Sequence, residues 1–174
     1  MINVNLAEQK LFNMMVEHDS ANSHRIQHFL KVQAFALRIA KGENISSDTY
    51  ELIRALALVH DVGIKIADEK YGKHPGPLQE KEGAPVAKAM CMAAGYDEVV
   101  AERISYVVGH HHTYTNIDGL DYQILVEADF LVNLHEDGLD KKAIASCYKN
   151  IFRTETGKKL CRLMFGLEAK EDEL

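Results

Sequence analysis

Apolar residues recur along this chain at intervals of three and four, the spacing of helices that bury one face. Residues 5–18 carry Leu6, Leu11, Phe12, Met15 and Val16 at that period. A second helix, capped by Ser23 and stopped by Gly42, holds Ile26, Phe29, Leu30, Phe35 and Ile39. Asp48 with Glu51 resembles a capping box and opens a helix through Leu52, Leu56 and Val59 that ends near Gly63. Gly72, Pro75, Gly76 and Pro77 then predict a loop over residues 64–78. Helix resumes over 80–94, with Pro85 in its first turn and Gly95 closing it. Asp97 caps a further helix bearing Val99, Ile104, Val107 and Val108, which runs up to His110-His111-His112. A turn at 116–119 precedes a helix at 121–135, and two closing helices are expected at 140–151 and 157–167.

No alternating stretch long enough for a sheet interrupts this pattern, and there is no repeat, low-complexity tract or linker. The expectation is an all-α, single-domain helical bundle over residues 1–174, its motif-bearing part at about 22–135 and its closing helices at about 140–167.

Composition narrows the function classes. A chain of 174 residues, 47% hydrophobic and 26% charged, has the balance of a folded protein rather than a disordered one. The net charge of −6, with no cluster of Lys and Arg, argues against a nucleic-acid surface but leaves a nucleotide substrate open. Cys91, Cys147 and Cys161 stand far apart and read as reduced, buried thiols. No apolar run approaches the roughly 20 residues of a membrane span. Residues 1–10 lack a signal-peptide pattern, Glu171-Asp172-Glu173-Leu174 reads as a solvated acidic end, and the expected compartment is cytoplasmic.

The candidate chemistry lies in nine histidines and a few acids within apolar surroundings. The apolar run from Ala55 to Val59 leads directly into His60-Asp61, where burial without a partner is costly for both groups. A divalent metal would satisfy them, and so would an ordinary helix end with His60 on the last carbonyls. His24 and His28 share a helix face, which fits shared ligation or simple surface placement. Asp129 falls inside the apolar run 124–134 with Glu127 close by, which favours a buried site over solvent. Of His110, His111 and His112, at most two can address one site.

Taken in order, His28, His60-Asp61, His110-His111 and Asp129 resemble the H…HD…D pattern of the HD superfamily of metal-dependent phosphohydrolases. The local contexts agree: His28-Phe29-Leu30-Lys31-Val32, Ala57-Leu58-Val59-His60-Asp61-Val62-Gly63 and Glu127-Ala128-Asp129-Phe130-Leu131 each resemble a family motif. The resemblance covers about residues 22–135. It implies that His28, His60, Asp61 and Asp129 hold one divalent transition metal (Mn, Fe, Co, Ni or Zn, with Mg an option). It also implies attack of a metal-activated water on a small phosphate ester or nucleotide. Asp61 or Asp129 would orient the water, and Lys31, His110 and His111 would stabilise phosphate charge or protonate the leaving oxygen.

Two departures qualify the comparison. Dinuclear members carry a His four residues before a Gly-Ala pair, whereas Gln79 precedes Gly83-Ala84 here. His110 and His111 match the other second-site ligands, but Gln79 is a poor replacement for an imidazole, so a mononuclear site is favoured. Many members carry Lys directly after the motif glycine, whereas here Ile64 intervenes, so the role of that lysine does not transfer simply to Lys65; Lys65 and Gln79 are carried as substrate-binding candidates. His24 is a candidate for the pocket rim or the surface, and His74 for a lid or a plain connector. The partners expected are a small phosphorylated substrate or nucleotide and, as an open option, a second copy in a homodimer. A nucleotide-sensing module without turnover and a diiron oxygenase are the competing readings.

Overall fold

The computed structural model describes residues 4–168, so the acidic end at 171–174 lies outside the described residues. The described residues form nine helices and no strand: α1 (Val4–His18), α2 (Ser23–Gly42), α3 (Ser47–Val59), α4 (Gly63–Tyr71), α5 (Gly76–Ala94), α6 (Glu98–Val108), α7 (Leu120–Glu136), α8 (Lys141–Ile151) and α9 (Glu155–Phe165). The all-α expectation is met. No helix among the described residues is long and apolar enough to cross a membrane.

Side chains that accept from the first-turn amides start most of these helices. Asn22 accepts from Arg25 N, Ser46 from Thr49 N, Asp97 from Val100 N, Asp140 from Ala143 N and Thr154 from Gly157 N. Two caps therefore differ from the sequence reading. Asn22 rather than Ser23 opens α2, and Ser46 rather than an Asp48–Glu51 box opens α3, while Glu51 pairs with Arg54. Gly95 ends α5 with φ of 108°, a left-handed conformation open to glycine at little cost.

The predicted loop at 64–78 is largely helical: α4 fills its first part, α5 starts at Gly76, and only residues 72–75 join them. The breakers sit together at the join, and Pro77 in the first turn of α5 gives up an amide that has no intrahelical partner. α3 ends at Val59 instead of near Gly63, which opens α4. A Cβ at Gly63 would overlap the Gln79 carbonyl oxygen, so this glycine lets α4 lie directly on α5. Pro85 stands well inside α5, not in its first turn, and leaves the Lys81 carbonyl without the usual i+4 amide.

α2 lies between α3 and α7, and α5 contacts both α4 and α6 extensively. Phe29, Val32, Ala36 and Ile39 on α2 are buried with Ile53 and Leu56 on α3, Ile104 and Val107 on α6, and Leu125 and Leu131 on α7. Each large apolar side chain buried there contributes about 1.5–3 kcal/mol. Cys91 and Cys161 are buried and Cys147 half-buried, all three free thiols. This core sets the ends of α3 and α6, the second turn of α2 and the middle of α7 around one point.

Candidate metal centre

That point is lined by His28 from the second turn of α2, His60 and Asp61 from the three residues between α3 and α4, and Asp129 from the middle of α7. His28 Nε2 lies 3.2 Å from Asp129 Oδ1 and 3.4 Å from Asp61 Oδ2. His60 Nε2 lies 3.4 Å from Asp61 Oδ2 and 3.6 Å from Asp129 Oδ1. His60 is fully buried, and its Nε2 has no hydrogen-bond partner. Ligand atoms held about 2.1 Å from one ion stand about 3.0–3.4 Å from each other. His28, His60 and Asp61 hold ligand atoms within 4.8 Å of one another, a spacing that suits convergence on a single cation, and Asp129 Oδ1 stands against both imidazoles. A buried imidazole nitrogen with no hydrogen-bond partner beside two carboxylates fits a divalent transition metal.

The outer nitrogens fix which ring atom faces inward. His60 Nδ1 donates to Ala57 O at 2.9 Å and His111 Nδ1 to Val108 O at 2.8 Å, both carbonyls near helix C-termini. His28 Nδ1 instead donates to Glu136 Oε2 at 2.8 Å. Asn133 Nδ2 holds Asp129 Oδ1 at 2.9 Å. Burial pushes His60 down, yet the Asp61 and Asp129 carboxylates outweigh it and hold its pKa well above the ordinary histidine value. Burial likewise opposes the charged forms of His28, Asp61 and Asp129. The mutual contacts win in each case, raising His28 and lowering both acids. Without a cation the cluster thus holds protons where a metal would bring positive charge.

Asp61 turns its other oxygen toward His111, with Oδ1 3.3 Å from His111 Nε2. Asp61, His111 and His112 form a second group whose ligand atoms all lie within 4.8 Å of one another. Gln79, nearly buried, donates from Nε2 to His74 O at 2.5 Å, which leaves its Oε1 to accept from His112 Nε2 at 2.8 Å. That contact assigns the His112 proton to Nε2 and leaves Nδ1 as a lone pair. Burial, with His111 beside it, pushes the His112 pKa down to about 4.

Several residues expected at the site are placed elsewhere. His110 is exposed, donates from Nδ1 to Tyr106 O at 2.7 Å and lies against the Tyr106 ring, so the pair that turns inward is His111 and His112. Lys31 donates to Glu136 Oε1. Lys65 donates to His18 O at 2.7 Å and ties down the end of α1. Gln79 spans His74 and His112 rather than standing free for substrate. His24 is exposed, 3.7 Å from Glu136 Oε2, and His74 is held by Asp68 at 2.6 Å. Glu136 went unmarked in the sequence, although Asp129, Asn133 and Glu136 form a polar i, i+4, i+7 stripe on an apolar helix.

A cavity of about 380 Å³ opens beside the cluster, lined among others by Asn22, Arg25, His28, Asp61, His74 and Asn133. A larger one of about 650 Å³, between α8 and α9, contains none of the cluster residues.

Known proteins share this fold. A crystal structure of a predicted HD superfamily hydrolase from an uncultured Thermotogales bacterium superposes with a TM-score of 0.67 at 23% identity, covering 91% of this chain and 84% of that one. No curated protein matches. The HD domain family model matches residues 25–147, and the chain accordingly belongs to the HD domain family.

Proposed function

We propose that this protein is a metal-dependent phosphohydrolase acting on a small phosphate ester or nucleotide, with one divalent transition metal held by His28, His60, Asp61 and Asp129. The observation that carries the reading is His60 Nε2, fully buried, unpartnered and facing two carboxylates. A divalent cation there supplies Lewis acidity toward a phosphoryl oxygen and lowers the pKa of water. The chain's own groups do the rest. Asp61 and Asp129, kept ionised by the imidazoles around them, orient the attacking water from the cluster side. Asp61 Oδ1 and His111 Nε2 form a pair across which a proton can pass beside the reacting phosphate. The adjoining cavity is of a size for a small ester, and Arg25 and His74 on its wall offer N–H groups to phosphate oxygens.

A panel of phosphate esters and nucleotides, assayed with Mn, Fe, Co, Ni, Mg and Zn, tests the reading. Hydrolysis of at least one compound, lost in Asp61→Ala, is the expected result. Metal and phosphate binding without turnover of any compound would instead mark a sensing module. Elemental analysis is expected to return one metal per chain, whereas two would bring Asp61, His111 and His112 into use as a second site.

A further inference from the structure

Three imidazoles point Nε2 toward the acid pair, and each needs an acceptor at Nδ1 to hold that tautomer. His60 and His111 follow the ends of α3 and α6, where the last carbonyls lack intrahelical partners, and Ala57 O and Val108 O serve them. His28 sits inside α2, past its first turn, where backbone carbonyls are already engaged in the helix ladder. Its acceptor comes from a residue 108 positions away, Glu136 in the last turn of α7.

We propose that Glu136 is the positioning residue that makes His28 a metal ligand, and that Lys31 serves Glu136 rather than a substrate phosphate. The inference rests on the metal centre proposed above. Both carboxylate oxygens are committed: Oε2 accepts from His28 Nδ1, and Oε1 accepts from Lys31 Nζ one turn along the same face of α2. The Glu136 side chain is only 9% exposed, with Lys31 as its cationic partner, His28 as its imidazole donor and the exposed His24 Nε2 3.7 Å from Oε2. An anionic acceptor also polarises the imidazole more strongly than a carbonyl can, making Nε2 the better donor to a cation. Without Glu136 the neutral ring is free to place its proton on Nε2, where it would face the metal.

The test is titration of the metal-free protein with Co²⁺ against a chelator of known affinity, with the thermal midpoint of each metal-free variant measured alongside. Glu136→Ala is expected to weaken Co²⁺ binding by about 10- to 100-fold. Glu136→Gln, whose amide oxygen can still accept from His28, is expected to lose less than the alanine variant but more than threefold. A purely structural Glu136 would lower the thermal midpoint and leave the affinity of folded protein unchanged. Affinity within threefold of wild type in Glu136→Ala, or in Glu136→Gln should the alanine variant not fold, overturns the inference while leaving the metal centre intact. Wild-type protein that binds no Co²⁺, or His60→Ala binding it as tightly as wild type, overturns the metal centre and this inference together.

Discussion

Glu127 and Asp129 are buried acids two residues apart on α7, a step that turns their side chains about 200° from each other. Glu127 faces the turn between α8 and α9, from which Arg153 N, Thr154 N and Thr154 Oγ1 donate to it, and Gln123 Nε2 donates from one turn earlier on α7. A Cβ at Gly157 would overlap Glu127 Oε2, so the α9 backbone closes over the carboxylate. Asp129 faces His28, His60 and Asp61, and there a buried nitrogen is left without a donor or acceptor. One acid sits among enough donors to complete its hydrogen bonding from within the chain. The other belongs to a cluster whose hydrogen bonding the described residues do not complete. Burial alone does not distinguish a structural carboxylate from a ligand, but the partners around it do.

The largest expected effect separates the two sides by activity. Asp61→Ala is expected to lower hydrolysis by at least about 10³-fold, near 4 kcal/mol of transition-state stabilisation, in the phosphate-ester assay. Full turnover with metal retained would break the assignment of that side. Glu127→Ala, by contrast, strands four donors and is expected to cost about 3 kcal/mol of stability, a fall of about 6–12 °C in Tm. Its Co²⁺ affinity should stay within twofold of wild type, and a larger change would show that the two sides of α7 are coupled. Gly157→Ala pushes a methyl against the same carboxylate and is expected to cost about 2 kcal/mol by urea denaturation, again without change at the metal.

The smallest effect lies in pH. His28 and His60 have raised pKa values in the metal-free fold, so each keeps its proton to a higher pH than an ordinary histidine, and a cation competes with that proton. Co²⁺ affinity is therefore expected to rise with pH, by at most about tenfold per unit for each proton displaced, and to level off above the raised values. Stability of the metal-free protein runs the other way. A raised histidine contributes fully below its ordinary pKa of about 6.5, and that contribution fades as pH rises through the raised value. Calorimetry across this range, with and without Co²⁺, should show metal stabilisation growing as the proton-linked part declines.

Much of this arrangement was legible in the sequence, for particular reasons. Singly, His28, His60-Asp61 and Asp129 are ambiguous polar groups in apolar helical surroundings, and it is their order along the chain, through its resemblance to the HD pattern, that groups them as one candidate site. The fold class followed from the helical periodicity of the apolar residues. Side-chain reach was not legible. Lys31 and Lys65 lie near the motifs in sequence, yet one is drawn to Glu136 and the other to the His18 carbonyl by partners far along the chain. The histidine triplet was off by one position because it lies in a turn beyond α6, where helical spacing no longer sets direction. α4 was missed because four breakers clustered over 72–77 were spread across the whole segment.

The contact between α4 and α5 at Gly63 divides this hairpin into two unequal ends. At the inner end, a Cβ on Gly63 would overlap the Gln79 carbonyl oxygen, and one on Gly83 would stand 3.1 Å from Val108 Cγ1 and 3.2 Å from Gly63 N. A single methyl group there displaces the backbone two residues from Asp61. At the outer end, residues 72–75 carry His74 to the rim of the cavity, and a Cβ at Gly72 would meet nothing within 4 Å. Gly72 holds a left-handed φ of 65°, so a side chain there has room but strains the backbone. Changes at the exposed residues beside it reach solvent and bear chiefly on what can enter. The hairpin thus offers evolution a fixed jaw that keeps the chemistry and a free jaw on which substrate preference can drift.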